Sequence, residues 1–352
     1  MKIALVTDLH FGARNDNLKV AAHQKKFYDD IFFPYLKENK INCVIDLGDT
    51  FDRRKYISFT SLKAAKAMFF DQLAKNNIWT HMLIGNHDAV YKNTNELNSV
   101  YLLCQEYSNI IEHQEPREVV IGDCPMLMLP WINSGNHQQT MDIIDKAKAQ
   151  IVMSHLELKG FDVQPGIVNP HGMNADTFRR FESVYSGHFH TKSSKGNVHM
   201  LGAQMEFTWA DVDDPKFFHV LDTRTRELTP VRNPITIFKK FVYDDERENY
   251  NNINITEFER KFIKLIVLNK NDLYMFDRLM DRLQNVETYE LKIAESFEEF
   301  IGESIEDDKV SLEDTTELLD SYVEAVDTDL DKEHIKVKLR ELYTEAQNLE
   351  VV

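Results

Sequence analysis

Residues 2–12, KIALVTDLHFG, place a short apolar run directly before an aspartate and a histidine, Asp8 and His10. Short apolar runs bounded by glycine or small polar residues predict buried strands. Side chains of an extended segment alternate between two faces, so Asp8 and His10 share a face and can both reach one metal ion. The stretch therefore predicts a strand whose carboxyl end delivers metal ligands.

The same arrangement, an apolar run followed by polar ligand types, recurs four more times along the chain. The runs are CVIDLG before Asp49, THMLIG before Asn86, His87 and Asp88, QIVMS before His155, and SVYSG before His188 and His190. Carboxylate, imidazole and carboxamide groups hold pairs of divalent metal ions in proteins. Asp49 suits a bridging position because a carboxylate can span two ions roughly 3.5–4 Å apart. Together the five clusters predict a metal-dependent phosphoesterase.

The order of apolar runs and helical periodicities predicts an α/β fold. In the first 130 residues or so, strand candidates alternate with helix candidates, which favours parallel strands under a helical layer. The helix candidates are 20–39, with a break or kink near Pro34, 61–76 and 95–107. From about 117 to 235 short strands dominate, and one helix is expected over 140–149. We expect a two-sheet β-sandwich flanked by helices.

The pattern changes after Pro234, and three domains are predicted: 1–234, 235–300 and 301–352. The second would be a small α+β module, with strands KFIKLIVL and TYELKIAES flanking an amphipathic helix at 272–285. The third holds an acidic linker and two helix candidates, 311–326 and 331–349. Two short helices bury little apolar surface alone, so this pair is expected to need a partner.

Charge is distributed unevenly along the 352 residues, whose formal net charge is −17. Residues 1–294 contribute −3 and residues 295–352 contribute −14. A strongly acidic protein normally disfavours a polyanionic partner such as DNA, because DNA affinity depends on neutralising phosphates. Here that objection weakens, since the ligand-bearing part is nearly neutral.

Cysteine usage and hydropathy predict a cytoplasmic protein. The three cysteines include no CxxC pair, which disfavours both a disulfide framework and a cysteine zinc site. No apolar stretch approaches the ~20 residues that a membrane-spanning helix needs. We therefore expect no membrane association.

The motifs TDLH, GDTFD, GNHD, SH and GHFH, in this order, resemble the calcineurin-like metallophosphoesterase superfamily. The runs DLHFG, GDTFDRRK and GNHD are most similar to its SbcD and meiotic-recombination-eleven nuclease family, and the chain length resembles the bacteriophage members. The motif similarity spans about residues 3–202. The architectural similarity extends to the end of the chain.

This resemblance implies a two-metal centre, with manganese as the family's usual activator. One ion would be held by Asp8, His10, Asp49 and His190, and the other by Asp49, Asn86, His155 and His188. His87 would lie beside the scissile phosphate, where it could stabilise charge or protonate the leaving oxygen. Asp88 would orient His87.

The resemblance also implies that the substrate is DNA, cut by double-strand exonuclease and single-strand endonuclease activity. It further implies two protein–protein contacts. A coiled-coil ATPase of the ABC/SMC type would dock on 311–349, and helices near 62–75 and 95–107 would form a homodimer. The module at 235–300 would be a DNA-capping domain. Phosphate contacts could come from Arg53, Arg54, Lys55, Lys192 and Lys195, although ordinary solvated loop charges explain these residues equally well.

Two alternatives remain open. Another two-metal phosphoesterase, such as a protein phosphatase or cyclic-nucleotide phosphodiesterase, would use the same site. Arg54 replaces the glycine of the phosphatase pattern GDxxDRG, and GNHD replaces GNHE, which disfavours the phosphatase. A non-catalytic scaffold would have lost ligands, and none is lost here. Trp131 and Trp209 are expected to pack in the fold rather than stack on bases.

Overall fold

The computed structural model describes residues 1–294 and seven positions beyond them: 323, 332, 334–336, 338 and 339. The strands are β1 (Lys2–Val6), β2 (Cys43–Asp46), β3 (Trp79–Leu83), β4 (Ile110–His113), β5 (Arg117–Ile121), β6 (Cys124–Leu129), β7 (Ile151–His155), β8 (Asp162–Gln164), β9 (Ile167–Val168), β10 (Ser183–Gly187), β11 (Ser193–Lys195), β12 (Val198–Met200), β13 (Lys216–Asp222), β14 (Leu228–Asn233), β15 (Phe238–Asp244), β16 (Phe262–Asn269) and β17 (Glu290–Ala294). The helices are α1 (Ala13–Asp16), α2 (Leu18–Phe27), α3 (Phe33–Glu38), α4 (Phe59–Ala65), α5 (Asp71–Lys75), α6 (Ser99–Cys104), α7 (His137–Lys146) and α8 (Leu273–Gln284). The predicted acidic linker and the helix pair, as ranges, lie outside the described residues.

Two six-stranded sheets form the body of the fold. The first has the order β14-β13-β1-β2-β3-β4, and the second has the order β11-β12-β10-β7-β6-β5. The strands β1 to β4 pair in parallel, and β13 joins β1 antiparallel. In the second sheet β6, β7, β10 and β12 pair in parallel. The predicted α/β fold with two sheets is confirmed.

Side-chain alternation along β1 shows how the layers pack. Ile3 and Leu5 enter the apolar layer between the sheets, together with Met126 and Met153 of the second sheet. Ala4, the intervening residue, lies instead in the cluster under the helices of the first sheet. Because both faces of these strands are buried, their sequences read as continuous apolar runs.

The helix predicted over 20–39 is present as α2, a π-helical turn at Tyr28–Phe32, and α3. Pro34 occupies the first turn of α3. Proline lacks an N–H and its ring crowds the carbonyl four residues earlier, so a wider turn before it avoids that conflict. The expected irregularity near Pro34 therefore takes the form of a π-turn. A second π-turn, Lys66–Phe70, joins α4 to α5 in the helix predicted over 61–76.

The helix expected over 95–107 is wrong in its extent, because α6 covers only Ser99–Cys104. Asn98 caps it by accepting a hydrogen bond from Tyr101 N (2.7 Å), and Asn95 donates to Trp131 O (2.8 Å). Such side-chain bonds to backbone compete with helix formation.

None of the helices in the described part of the chain is long and apolar enough to cross a membrane.

A small module follows β14, a strand of the first sheet. The strands β15, β16 and β17 form a parallel sheet with α8 packed against it, one strand more than the sequence predicted. Asp272 caps α8 by accepting a hydrogen bond from Met275 N at 3.0 Å. The strand β14 of the first sheet ends at Asn233, and β15 of the three-stranded sheet begins at Phe238. The predicted boundary at 234 falls between these two strands.

Candidate metal centre

The five ligand-bearing loops meet at one edge of the sandwich. The parallel strands β1, β2 and β3 of the first sheet and β7 and β10 of the second send their carboxyl ends to it. Ligand sites in open α/β folds form at such carboxyl ends. The structure thus brings the predicted site residues together from five strand ends.

Asp8, His10 and His190 form the first group of potential ligands. Their ligand atoms all lie within 4.8 Å of one another. The two Nε2 atoms of His10 and His190 are 3.1 Å apart, and Asp8 Oδ1 lies 3.9 Å from His10 Nε2. Asp8 and His10 are buried.

Asp49, His155 and His188 form the second group, again within 4.8 Å of one another. Asn86 Oδ1 lies 2.9 Å from His155 Nε2 and 3.0 Å from His188 Nδ1. His155 Nδ1 lies 2.9 Å from Leu47 O, a contact that makes Nδ1 the protonated nitrogen. Nε2 is then the nitrogen with a lone pair for a cation.

Asp49, a member of the second group, also faces the first group. Its Oδ2 is 3.2 Å from His155 Nε2 and 4.0 Å from His10 Nε2. The combined donor set of carboxylate, carboxamide and imidazole atoms, with no thiolate, fits ions such as Mn²⁺, Fe²⁺ or Zn²⁺. The residues present therefore fit the pair of divalent ions that the motifs imply.

Four of the proposed ligands have a strained backbone conformation. Asp8 (φ 52°), His10 (φ 44°), Asp49 (φ 60°) and His188 (φ 91°) all adopt left-handed conformations. Such conformations are uncommon for residues other than glycine and cluster at functional sites. Gly85 allows the close approach of two loops, because a Cβ atom there would collide with Asp49 Oδ1.

The electric field at the centre favours positive charge. Burial lowers the pKa of His10, but the carboxylates of Asp52, Asp49 and Asp8 outweigh it and raise the pKa to about 10. Burial likewise opposes protonation of His155, yet Asp49 and Asp8 raise its pKa to about 9. A divalent cation would be stabilised by the same carboxylates.

His87 is fixed at both its backbone and its ring. Its backbone N–H donates to Asp49 Oδ1 at 2.8 Å, and its Nδ1 lies 2.5 Å from Asp52 O. A carbonyl oxygen only accepts, so Nδ1 carries a proton in this contact. The ring packs edge-on against that of His10, with 4.9 Å between centroids.

Asp88, which the motif resemblance predicts to orient His87, holds the backbone around Asp49. Its Oδ2 accepts hydrogen bonds from the N–H groups of Asp49 (2.8 Å) and Gly85 (2.9 Å), and its Oδ1 accepts from Thr50 N and Ser99 Oγ (both 3.1 Å). The ring of His87 is instead held by the Asp52 carbonyl. Asp88 is a fully buried brace for the backbone that presents Asp49.

Asp52 was missed as a functional residue, although it lies in the quoted motif GDTFDRRK. Its Oδ1 is 3.3 Å from His10 Nδ1, while its carbonyl contacts His87. A carboxylate on the outer nitrogen of a ligating histidine fixes the tautomer and the orientation of the ring. The sequence feature that could have identified Asp52 is its position three residues after Asp49 in the same motif.

The tryptophans behave as predicted. The ring of Trp131 packs against those of His188 and His155, with centroid distances of 5.2 and 6.0 Å. Trp209 is buried and packs 4.9 Å from the ring of Phe238.

The five residues predicted as candidate DNA contacts lie in two separate parts of the chain. Arg53, half-buried, has Nη2 2.5 Å from Asn15 Oδ1 and Nη1 3.4 Å from Asp16 Oδ2. Arg54 is half-buried and Lys55 is exposed in the same loop. Lys192 directly precedes β11 and lies over the ring of Phe217 at 4.8 Å, and Lys195 of β11 donates to Gly160 O.

The chain matches a protein-family model and is similar to known proteins, among them the two described next. Residues 1–192 match the model of the calcineurin-like phosphoesterase family. Exonuclease subunit 1 of Enterobacteria phage T4 is 28% identical over 352 residues, which covers 98% of this chain and 99% of that protein. A solved archaeal phosphodiesterase, covering 66% of this chain and 100% of its own, has a TM-score of 0.34 and 14% identity.

Proposed function

Since this chain belongs to the calcineurin-like phosphoesterase family and is a metal-dependent phosphodiester hydrolase, we propose that its substrate is DNA and its metal is manganese. The observation that carries the proposal is the pair of ligand groups, in which Asp49 of the second group approaches His10 of the first, with His87 fixed beside them. We further propose that it is the nuclease subunit of an ATPase–nuclease complex in DNA recombination, repair and replication.

The proposed ligands follow the two groups. Asp8, His10, Asp49 and His190 would hold one ion, and Asp49, Asn86, His155 and His188 the other. Two bound divalent ions would supply Lewis-acid stabilisation of the phosphoryl group and a nucleophile at neutral pH. The protein's part is to keep the ligands in place, which the Asp88 brace and the strained loops favour.

His87 is the proposed general acid. Because Asp52 O engages Nδ1, the ring is held in one orientation, and we propose that Nε2 exchanges a proton with the leaving oxygen. A protonated ring would also stabilise negative charge on the phosphate. In both roles His87 acts beside the ions and is not a ligand.

DNA is the proposed substrate because the T4 relative, which is similar over almost its whole length, is named an exonuclease. The basic residues Arg54 and Lys55, in the loop that follows Asp52, support the proposal, since basic side chains suit contact with a phosphate backbone. We propose the module at 235–300 as the DNA-capping domain, after a nuclease domain at 1–234, with both exonuclease and endonuclease activity.

The proposed protein contacts lie elsewhere. The segment 301–352 is proposed as the acidic linker and the docking element for a coiled-coil ABC/SMC-type ATPase, the helix pair at 311–349 making the contact. A homodimer is proposed through helices near 62–75 and 95–107, where Tyr101 and Leu102 are 44% and 54% exposed. A cytoplasmic location follows from the proposed work on DNA with a soluble ATPase.

The test is a nuclease assay with purified full-length protein and added Mn²⁺. Single- and double-stranded DNA, bis(p-nitrophenyl) phosphate and p-nitrophenyl phosphate would be compared for the wild type, His87→Asn and His137→Asn. His137 is exposed at the start of α7 and serves as the matched control. We expect His87→Asn to bind Mn²⁺ normally but to lose about 10²–10⁴-fold in kcat on DNA.

Other outcomes would favour the alternatives. Hydrolysis of the monoester in preference to DNA would favour a phosphatase. Absence of both bound metal and activity in the wild type would favour a scaffold. Full DNA cleavage by His87→Asn would remove His87 from the mechanism.

A further inference from the structure

We propose that Tyr56 and Phe59 form a platform on which unpaired bases of single-stranded DNA stack next to the metal centre. The inference rests on the proposed nuclease function and specifies how that site would hold its substrate. It concerns the loop after Asp52 together with Phe59, the first residue of α4. The metal chemistry requires no exposed aromatic side chain in this part of the chain.

Both aromatic side chains lie on the surface. Phe59 is 90% exposed, the highest value among the large apolar side chains of the described residues, and Tyr56 is 63% exposed. A phenylalanine exposed to this extent contributes little to the core, and exposed aromatic groups mark binding surfaces. The fold therefore does not explain their presence.

The loop that carries these side chains is held rigidly. Asp16 accepts hydrogen bonds from the hydroxyls of Ser58 (2.7 Å) and Ser61, and it pairs with Arg53 at 3.4 Å. Ser58 also caps α4 by accepting from Ser61 N at 3.1 Å. A surface that is already ordered loses little conformational entropy when a ligand binds.

Tyr56 of the platform follows Asp52 by four residues along the chain. Arg53 directly follows Asp52, whose carbonyl oxygen is 2.5 Å from His87 Nδ1 and whose carboxylate is 3.3 Å from His10 Nδ1. A nucleotide that stacks on this loop would thus flank the phosphate at the metal centre. The loop is therefore placed to position substrate.

The chemistry of the loop matches a single-stranded nucleic acid. The guanidinium of Arg53 lies 4.9 Å from the ring centroid of Tyr56, and Arg54 and Lys55 add positive charge. Basic groups that follow a phosphate backbone, interleaved with aromatic rings that stack on bases, are the recurring means of binding single strands without sequence preference. Phe59 could instead contact a second copy of this chain in a homodimer. Such a contact would not require the positive charges that lie next to Phe59.

The test compares Tyr56→Ala and Phe59→Ala with Tyr56→Phe and Trp79→Ala in the full-length protein with Mn²⁺. Trp79 is 53% exposed at the amino end of β3, the end opposite the metal centre, and is the matched exposed aromatic control. We expect KM for a single-stranded oligonucleotide to rise about tenfold in each alanine variant, as for the loss of one stacked base. Tyr56→Phe should retain the wild-type KM because the ring remains.

A second readout reports stacking directly. An oligonucleotide containing 2-aminopurine should lose fluorescence on binding the wild type and Trp79→Ala, and lose less on binding Tyr56→Ala. Unchanged KM and quenching in both alanine variants would overturn the proposal. So would a change confined to oligomeric state in Phe59→Ala, measured by analytical ultracentrifugation, which would assign the surface to contacts between copies. Wild-type protein that hydrolyses the small diester but no DNA would instead refute the proposed substrate.

Discussion

At the scale of single residues, Asp52 connects two groups that the motifs present separately. Its carboxylate lies 3.3 Å from His10 Nδ1, and its carbonyl oxygen lies 2.5 Å from His87 Nδ1. One residue therefore orients a proposed metal ligand with its side chain and the proposed acid with its backbone. A side-chain substitution at this position should disturb the first function and spare the second.

We predict that Asp52→Ala weakens Mn²⁺ binding about 10–100-fold, the usual effect of removing an outer partner of a ligating histidine. Burial raises the pKa of Asp52, but contacts with His10 outweigh it and keep the pKa low, so an ionised partner is lost. Electron paramagnetic resonance during a Mn²⁺ titration would measure the change. Asp176→Ala, an exposed carboxylate, is the control; equal affinity in Asp52→Ala and the wild type would refute the orienting role.

The brace formed by Asp88 predicts an effect on stability as well as on activity. Asp88→Ala would leave the N–H groups of Asp49, Gly85 and Thr50 without their acceptor in a buried site. Each unsatisfied buried group costs about 1–3 kcal/mol, so we expect a loss of roughly 3 kcal/mol or more in the free energy of unfolding. Urea denaturation in the presence of a chelator would measure it.

Ser99→Ala supplies the graded comparison, because it removes only the hydroxyl bond to Asp88 Oδ1. We expect that variant to lose about 1 kcal/mol. If Asp88→Ala were no less stable than Ser99→Ala, Asp88 would not be the brace that its contacts indicate.

The ligands could be predicted from the sequence, whereas the partners of the ligands could not. Asp8-x-His10 and His188-x-His190 are local patterns at strand ends, so spacing alone identifies them. The contact of Asp88 with Asp49 joins residues 39 apart, and that of Asp52 with His87 joins residues 35 apart. Such contacts depend on how loops from different strands are juxtaposed, which no short motif records.

At the scale of elements, β13 carries a buried histidine whose protonation opposes folding. His219 pairs in register with Leu5 of β1 and is 1% exposed. Burial, with smaller effects from the charges of Lys192 and His199, lowers its pKa to about 3. In the unfolded chain the pKa returns to about 6.5.

This difference sets the direction of a pH effect. Between pH 3 and 6.5 the unfolded state binds the proton and the folded state does not, so this contribution to stability is complete above pH 6.5 and falls as pH decreases. Lowering the pH from 7.5 to 5.0 should cost about 2 kcal/mol through this residue. We predict that His219→Leu has a pH dependence shallower by that amount, measured by urea denaturation with a chelator. His137→Asn should follow the wild type, and a parallel curve for His219→Leu would contradict the assignment.

Element boundaries were less predictable than element types. The apolar runs identified β1, β2, β3, β7 and β10 because these strands are buried on both faces. The sequence did not predict the strand β15, FKKFVYD. One of its faces carries Lys240 and Val242, and the other carries Phe241 and Tyr243, so polar and apolar residues do not alternate clearly along it. The helix α6 was predicted too long because the polar contacts of Asn95 and Asn98 override the apolar spacing.

At the scale of the whole molecule, charge separates the chain into two parts. Residues 1–294 have a net charge of −3, and residues 295–352 have −14. The basic loop that begins at Arg53 lies in the first part. If DNA binds the first part, the second part repels it, and the repulsion should depend on ionic strength.

We predict that deleting residues 303–352 abolishes association with the ATPase while Mn²⁺-dependent hydrolysis of bis(p-nitrophenyl) phosphate persists. The same deletion should strengthen DNA binding at low salt, and the gain should shrink at high salt, because the removed segment is strongly acidic. Co-purification would measure ATPase association, and fluorescence anisotropy across a salt series would measure DNA binding.

A full-length variant with Glu303, Glu306, Asp307 and Asp308 changed to Gln or Asn separates the two effects, since it loses charge but keeps 311–349. It should bind DNA more tightly and still bind the ATPase; a truncated protein that still co-purifies with the ATPase would show that docking lies elsewhere.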